Sequence, residues 1–268
     1  MILAIDIGNT NIVLGCIEEK ILFVSRITTN KQATQDEYAI SINNILKLHK
    51  IDPEKIDGAI ISSVVPAINN AVYGAVKAVT SHEPLVVGPG IKTGLNIKLD
   101  NPAQLGSDRV VGAVAAIAQY PKPIIVIDMG TATTFCAINE LGEHLGGIIY
   151  PGVKISLDAL TQMASNLSGI SLTKPKKVIG SNTADSMKSG ILYGNASMID
   201  GMIDRFEEEL GKTRTIVATG GLSETIIPFC KHKIIFDNDL LLKGLKIIYD
   251  KNVTKIRFRR IESWHRKH

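Results

Sequence analysis

Cysteine is scarce in this sequence, and the three that occur are poorly placed for its usual structural uses. Cys16, Cys136 and Cys230 are odd in number, far apart and without neighbouring histidines, which speaks against a disulfide framework or a zinc site. They are expected to be buried free thiols. No apolar run reaches the roughly eighteen residues of a membrane-spanning helix. The apolar start, residues 1–5, meets Asp6 too soon to be a signal peptide. A soluble, cytoplasmic protein without a membrane partner is therefore expected. Two common nucleotide signatures are also missing. No Gly-x-Gly-x-x-Gly opens a helix after a strand, so a dinucleotide site of that kind has no support. Gly211-Lys212-Thr213 resembles the end of a phosphate loop, but Phe206 stands where that motif needs glycine. The triplet follows a helix, and Gly211 reads as its terminator. Excess charge is also lacking in the body of the chain: much of the net +4 lies in residues 251–268, with Lys251, Lys255, Arg257, Arg259, Arg260, Arg266 and Lys267. That segment reads as a solvated or disordered tail, the alternative being one that touches nucleic acid or an acidic partner. Nucleic-acid binding by the body is not expected.

What is present supports a sizeable core: 45% of the 268 residues are hydrophobic and 21% charged. Apolar runs at 2–5, 12–17 and 20–28 predict a strand meander. Thr34 and Glu37 have capping-box spacing, and Tyr38, Ile42, Ile45, Leu46 and Leu48 then repeat at helical spacing. A strand is expected near 57–64, a helix from Pro66 to about 79 and a strand at 84–87. Strands alternating with helices indicate an α/β fold. The pattern then begins again. An apolar strand at 123–127 leads into a second acid-glycine-threonine turn, followed by strands at 134–138 and 144–150, a helix over 184–210, a strand at 215–218 and a last helix over 237–249. We read an internal duplication, with halves at 1–118 and 119–250 and the basic tail at 251–268. Two such halves would turn their glycine loops into one cleft, a natural nucleotide site.

The two turns, Asp6-Ile7-Gly8-Asn9-Thr10-Asn11 and Asp128-Met129-Gly130-Thr131-Ala132-Thr133-Thr134, carry what a polyphosphate needs. Glycine lets the backbone approach the phosphate, Asn and Thr offer donors, and an acid at the strand end can hold a cation directly or through water. One such turn is weak evidence, because hairpin turns favour the same residues. Two at matching positions are much stronger. The paired glycines of Ala218-Thr219-Gly220-Gly221 would admit a base or ribose close to the backbone; a plain turn fits the local pattern equally well, and the place after the two phosphate turns favours the adenosine site.

With these turns, Gly106-Ser107-Asp108-Arg109, the run from Gly146 to Gly152, Asn182-Thr183 and Thr219-Gly220-Gly221 in this order, the chain resembles type III pantothenate kinases over about residues 1–250. The resemblance implies the acetate kinase, sugar kinase, heat-shock-protein and actin superfamily, with a duplicated ribonuclease-H-like (actin-like ATPase) fold of two lobes around a nucleotide cleft. It implies ATP-dependent phosphorylation of pantothenate, the first step of coenzyme A biosynthesis, by a homodimer using Mg²⁺ or another divalent cation and K⁺ or NH₄⁺. Matched residue by residue, Asp6, Ile7, Gly8, Asn9, Thr10, Asn11, Ile12 and Val13 correspond to the first ATP-phosphate segment. Thr131 matches a further ATP contact, and Gly220 and Gly221 fall in the adenosine region. Gly106, Ser107, Asp108 and Arg109 match the pantothenate-binding motif, in which alanine is usual at the position of Ser107. Asp108 matches the general base, Thr183 a substrate contact made across a dimer interface, and Asp128 the monovalent-cation ligand; Asp6 is the candidate for the divalent cation. Leu99 departs from the pattern, which often has tyrosine before Asp100-Asn101-Pro102.

Asp108 also suits the role of base on chemical grounds. Phosphoryl transfer consists mostly of positioning and charge stabilisation, with a carboxylate sufficing to take the hydroxyl proton. Arg109 could keep it ionised or hold an anionic part of the substrate. By local pattern alone, an Asp-Arg pair opening a helix over 110–119 reads more readily as an N-terminal cap with a solvated arginine, and it is the resemblance that favours the catalytic reading. Two rival functions share these turns: a superfamily phosphatase acting on polyphosphate or guanosine polyphosphates, and a non-enzymatic accessory factor in transcription.

Overall fold

The structure, a computed structural model, describes residues 1–164, 167 and 169–265, with side chains as far as 253 in the final helix. The predicted meander is present. β1 (Ile2–Ile7), β2 (Asn11–Ile17) and β3 (Ile21–Thr28) run antiparallel in that order. α1 (Gln35–Leu48) opens with the expected capping box, the Thr34 N–H donating to the Glu37 carboxylate at 2.7 Å. β4 (Ala59–Ser63) lies parallel to β1, α2 (Asn69–Thr80) follows, and β5 (Leu85–Val86) lies parallel to β4. Pro66 begins a single 3-10 turn, and α2 starts three residues later. The first sheet has the order β3-β2-β1-β4-β5.

After β6 (Asn96–Ile97) and α3 (Ser107–Gln119) the plan repeats. β7 (Ile124–Met129), β8 (Ala132–Ile138) and β9 (Glu143–Pro151) form a second antiparallel meander. α4 (Val153–Met163) and α5 (Thr183–Leu210) follow. β10 (Thr215–Thr219) lies parallel to β7, and after the one-turn α6 (Ser223–Ile226), β11 (Ile235–Phe236) lies parallel to β10. The second sheet reads β11-β10-β7-β8-β9-β6. From its other edge, β9-β8-β7-β10-β11 reproduces β3-β2-β1-β4-β5 strand for strand, with β6 added. The duplication inferred from two short turns therefore extends to whole sheets.

It also extends to the phase of the strands. Leu3, Ile5 and Ile7 of β1 share one core with α1 and α2, which contribute Tyr38, Ile42, Leu46, Val72 and Val76. In the second unit Ile125, Ile127 and Met129 of β7 share a core with Leu157 of α4 and Ile191, Leu192 and Ile199 of α5. Side chains alternate across a strand, so Asp6 and Asp128 stand on the faces opposite these cores at equivalent places. Burying each such aliphatic side chain contributes about 1.5–3 kcal/mol, and shifting a strand by one residue would exchange its faces. The cores thereby fix where each acid points.

The units divide differently from the halves expected from chain order. One comprises 1–94, 101–115 and the chain from 240 onward; the other comprises 95–100 and 116–239. The last helix, α7 (Leu240–His265), packs on β1, β2 and β4 of the first sheet. Chain order cannot say which sheet a terminal helix will cover, and small residues decide it here. Gly15 makes room for Leu242, Gly58 for Tyr249, and Gly244 lies directly on the Val111 carbonyl. α7 begins at Leu240 and its backbone continues past the expected end at 249. The side chains of 254–268, which include most of the basic tail, lie outside the described residues. β6 and β11 had no counterpart in the sequence reading, since two-residue strands carry no periodicity to detect, and the helix α4 was not anticipated either.

Smaller expectations hold. Gly211, with φ +82°, ends α5, and Lys212 pairs with Glu207 at 2.8 Å, so the triplet resembling a phosphate loop closes a helix. Cys16 and Cys136 are buried free thiols and Cys230 is half-buried, burial pushing both Cys16 and Cys230 up to about 12. No helix among the described residues is long and apolar enough to cross a membrane.

A Cβ on Gly244 would lie 2.2 Å from the Val111 carbonyl oxygen. Gly244→Ala is accordingly expected to force α7 off α3 and to lower stability by about 2–3 kcal/mol, read as an earlier urea-unfolding midpoint.

Candidate active site

In the first unit, Asp6 ends β1 with its carboxylate largely buried, paired in register with Val13 of β2 and Ser62 of β4. The turn after it is closed by the Gly8 N–H, which donates to the Asn11 carbonyl at 3.0 Å. Asn9, Thr10 and Asn11 are exposed, whereas Ile12 is buried in the core. Ile7 is likewise a core residue, so within the matched segment these two support the turn from below.

The Gly106-to-Arg109 segment meets the same end of the sheet. Ser107 begins α3, and its hydroxyl is held by β4: it donates to the Ser63 carbonyl at 2.8 Å, accepts from the Ser63 N–H at 3.0 Å and bonds the buried Ser62 hydroxyl at 3.0 Å. Ser63 in turn donates to Asn69 at the start of α2. These bonds join the start of α3 to the strand beside Asp6 and bring Asp108 to the edge on which the first acid sits. The Asp108 carboxylate accepts from the Arg109 N–H at 2.8 Å. A Cβ on Gly106 would lie 2.5 Å from the same carboxylate oxygen, so glycine there gives the acid its room. Asp108 and Arg109 are both half-buried. No ion pair joins them among the described residues, and the contact expected of the guanidinium is made by the Arg109 backbone.

In the second unit, Asp128 ends β7, paired in register with Thr134 of β8 and Thr219 of β10. The Gly130 N–H donates to the Ala132 carbonyl at 3.0 Å. The loop between the paired positions Met129 and Thr133 is one residue shorter than that between Ile7 and Ile12. The duplicated turns therefore differ in size. Thr131 is exposed, while Thr133 is buried, which leaves Thr131 and Thr134 as the accessible hydroxyls. The N-terminus of α4 rests on this turn: a Cβ on Gly152 would lie 2.2 Å from the Thr131 carbonyl oxygen. Gly220, with φ +96°, approaches from β10, and a Cβ there would stand 2.5 Å from an Asp128 carboxylate oxygen. Asp128, Thr131 and Gly220 thus form one group. Gly221 is exposed beside it, with open space where a side chain would be.

Thr183, the first residue of α5, is exposed and shares no hydrogen bond with either group among the described residues. Asn182 before it caps the helix, accepting from the Asp185 N–H at 2.9 Å. Leu99 lies against Gly146 of β9. Among the described residues, no three acidic, histidine or cysteine side chains gather into a metal cage. Asp6 nonetheless suits a cation carried mainly by phosphates, since Mg²⁺ commonly takes one or two carboxylates, substrate oxygens and water. Sequence reading overlooked Thr29, Ser62 and Ser63, which hold the first turn and the start of α3. The serine pair ending an otherwise apolar strand was a local signal; Thr29 had none, since its partners lie about twenty positions away.

Several known proteins share this architecture. A Campylobacter jejuni protein assigned to the Baf family of transcriptional activators aligns over 94% of this chain and 100% of its own, at 20% identity and a TM-score of 0.58. An activator of 2-hydroxyisocaproyl-CoA dehydratase from Clostridium difficile, solved with bound ADPNP, aligns over 97% of both chains at 11% identity and a TM-score of 0.54. Likenesses this distant show the fold alone: the duplicated ribonuclease-H-like, actin-like fold that the two sheets repeat. The type III pantothenate kinase of Halalkalibacterium halodurans is 46% identical over 254 residues, covering 94% of this chain and all of that protein. The family model for type III pantothenate kinases matches residues 2–205, a span that contains both acid turns and the Ser107–Asp108 helix start, and the chain belongs to that family.

Proposed function

We infer that the protein transfers the γ-phosphoryl group of ATP to pantothenate, giving phosphopantothenate and ADP, the first step of coenzyme A biosynthesis. Membership of the family carries this reading. The observation in the fold that supports it best is the bonding of the Ser107 hydroxyl to β4, which holds the start of α3, and with it Asp108, by the strand that carries Ser62 opposite Asp6.

The first turn is read as the grip on the ATP phosphates, with Asp6, Gly8, the exposed residues Asn9 to Asn11 and Val13 opposite Asp6 as its working parts and Ile7 and Ile12 as its support. A bound divalent cation would neutralise phosphate charge, with Asp6 as its protein carboxylate, directly or through water. Pantothenate is read as lying along Gly106 to Arg109. Its hydroxyl oxygen bonds to the γ-phosphorus as the bond to the bridging oxygen of ADP breaks, and the hydroxyl proton passes to Asp108. Arg109, with no carboxylate partner among the described residues, is available to the substrate's own carboxylate. Ser107 is spent on β4, so its part in binding is through its backbone and its hold on α3. In the second unit, Thr131 is assigned to ATP, Gly220 and Gly221 to the adenosine, and Asp128 to K⁺ or NH₄⁺. The close approach of Gly220 to Asp128 supports treating the last two together. Thr183 is assigned to pantothenate across a homodimer interface; its exposure in the single chain suits this, as do the exposed apolar side chains Ile149 and Tyr150 of β9 and Ile155 and Met163 of α4. A cytoplasmic location follows from the reaction proposed.

Mass spectrometry of the protein with ATP and pantothenate should reveal phosphopantothenate, formed faster in potassium than in sodium. Phosphate release without an acceptor would point to the phosphatase instead, and equal rates in the two salts would remove the monovalent-cation assignment. Asp108→Asn should lower kcat by about 10²–10⁴-fold with ATP binding retained; near-normal turnover would exclude Asp108 as the base. Light scattering is expected to give twice the chain mass, a monomeric mass in the active enzyme being incompatible with a Thr183 contact from a partner subunit.

A further inference from the structure

We propose that Thr29 is a positioning residue for the ATP-phosphate turn, and this rests on the reading of the Asp6 turn as the phosphate grip. Thr29 lies just past the end of β3 and makes two bonds to that turn. Its hydroxyl donates to the Gly8 carbonyl at 2.6 Å, and its backbone N–H donates to the Thr10 carbonyl at 2.9 Å.

The consequence follows from the planarity of the peptide group. In a trans peptide the C=O of one residue and the N–H of the next point in opposite directions. Fixing the Gly8 carbonyl toward Thr29 turns the Asn9 N–H away from it, and fixing the Thr10 carbonyl turns the Asn11 N–H away likewise. One threonine thereby sets two peptide planes with their carbonyls, which would repel a phosphate, drawn toward β3, and their N–H groups directed to the other side. Anion-binding concavities are built from backbone N–H groups held in this manner.

Thr29 is itself held in place. The next residue, Asn30, gives its carbonyl to the phenol of the buried Tyr38 at 2.7 Å and to the Ala33 N–H at 3.2 Å. Tyr38 belongs to α1 and to the first core. A line of contacts thus runs from the core through Tyr38 and Asn30 to Thr29 and the turn. A turn containing glycine and rich in polar residues would otherwise sample several peptide orientations. Holding it in one lowers the ordering cost of binding.

Thr29→Val keeps the shape of the side chain and removes its hydroxyl; Thr29→Ser restores the hydroxyl. Calorimetric titration with the Mg²⁺ complex of a non-hydrolysable ATP analogue is expected to give a Kd about five- to twentyfold higher for Thr29→Val, the effect of losing one such hydrogen bond. Thr29→Ser should lie near wild type. The pantothenate KM should stay within about twofold, since Gly106 to Arg109 make no bond to Thr29. An unchanged Kd in Thr29→Val, equal loss for both substrates, or failure of serine to rescue would each overturn the assignment; Thr29→Ala carries the same comparison should the valine variant not fold. Asp6→Asn is titrated in parallel. If it weakens binding while Thr29→Val does not, only the role of Thr29 fails. If neither changes binding, the reading of the first turn as the phosphate grip fails.

Discussion

A carboxylate near the end of a buried strand is the constraint on which both units depend. Such a strand is apolar because its residues fill a core, and a charged side chain is tolerated only near the strand's end, where the backbone leaves the sheet. Asp6 and Asp128 occupy that place in β1 and β7, each one residue before the strand's last core side chain, Ile7 or Met129. Neither acid can move without slipping a register that every neighbouring strand enforces.

Around this shared frame the units have diverged. The loop after Asp6 is one residue longer than that after Asp128. The first is braced by Thr29 from the neighbouring strand, while the second is covered by the start of α4 through Gly152 and approached by Gly220. The first turn leaves Asn9, Thr10 and Asn11 exposed beside a buried Asp6, whereas in the second Asp128 is half-buried with Gly220 close against it.

The acceptor side is tied to the same frame by hydroxyls. Ser107 uses its hydroxyl to join α3 to β4. A half-buried hydroxyl with several partners tolerates little displacement. The first turn of α3, and Asp108 on it, are thereby held by the strand next to Asp6, while Gly106 leaves the Asp108 carboxylate space. Phosphoryl transfer asks mainly for positioning, and these contacts hold the start of α3 as the bonds of Thr29 hold the first turn.

The sequence by itself determined the elements whose signals are local. The alternation of β1 and β2, the capping box of α1, the terminator Gly211 and the recurrence of an acid-glycine-threonine turn are all legible in neighbouring residues, and with them the duplication and most of the candidate residues. Only the tertiary structure decided that α7 belongs to the first sheet, because that depends on the small residues Gly15, Gly58 and Gly244 meeting side chains from distant segments. It also decided that Thr133 is buried, that the Ser107 hydroxyl is spent on β4 and that Thr29 bonds to the first turn. Each of these rests on a contact between residues far apart in the chain, where side-chain spacing carries no information and packing alone chooses the partner.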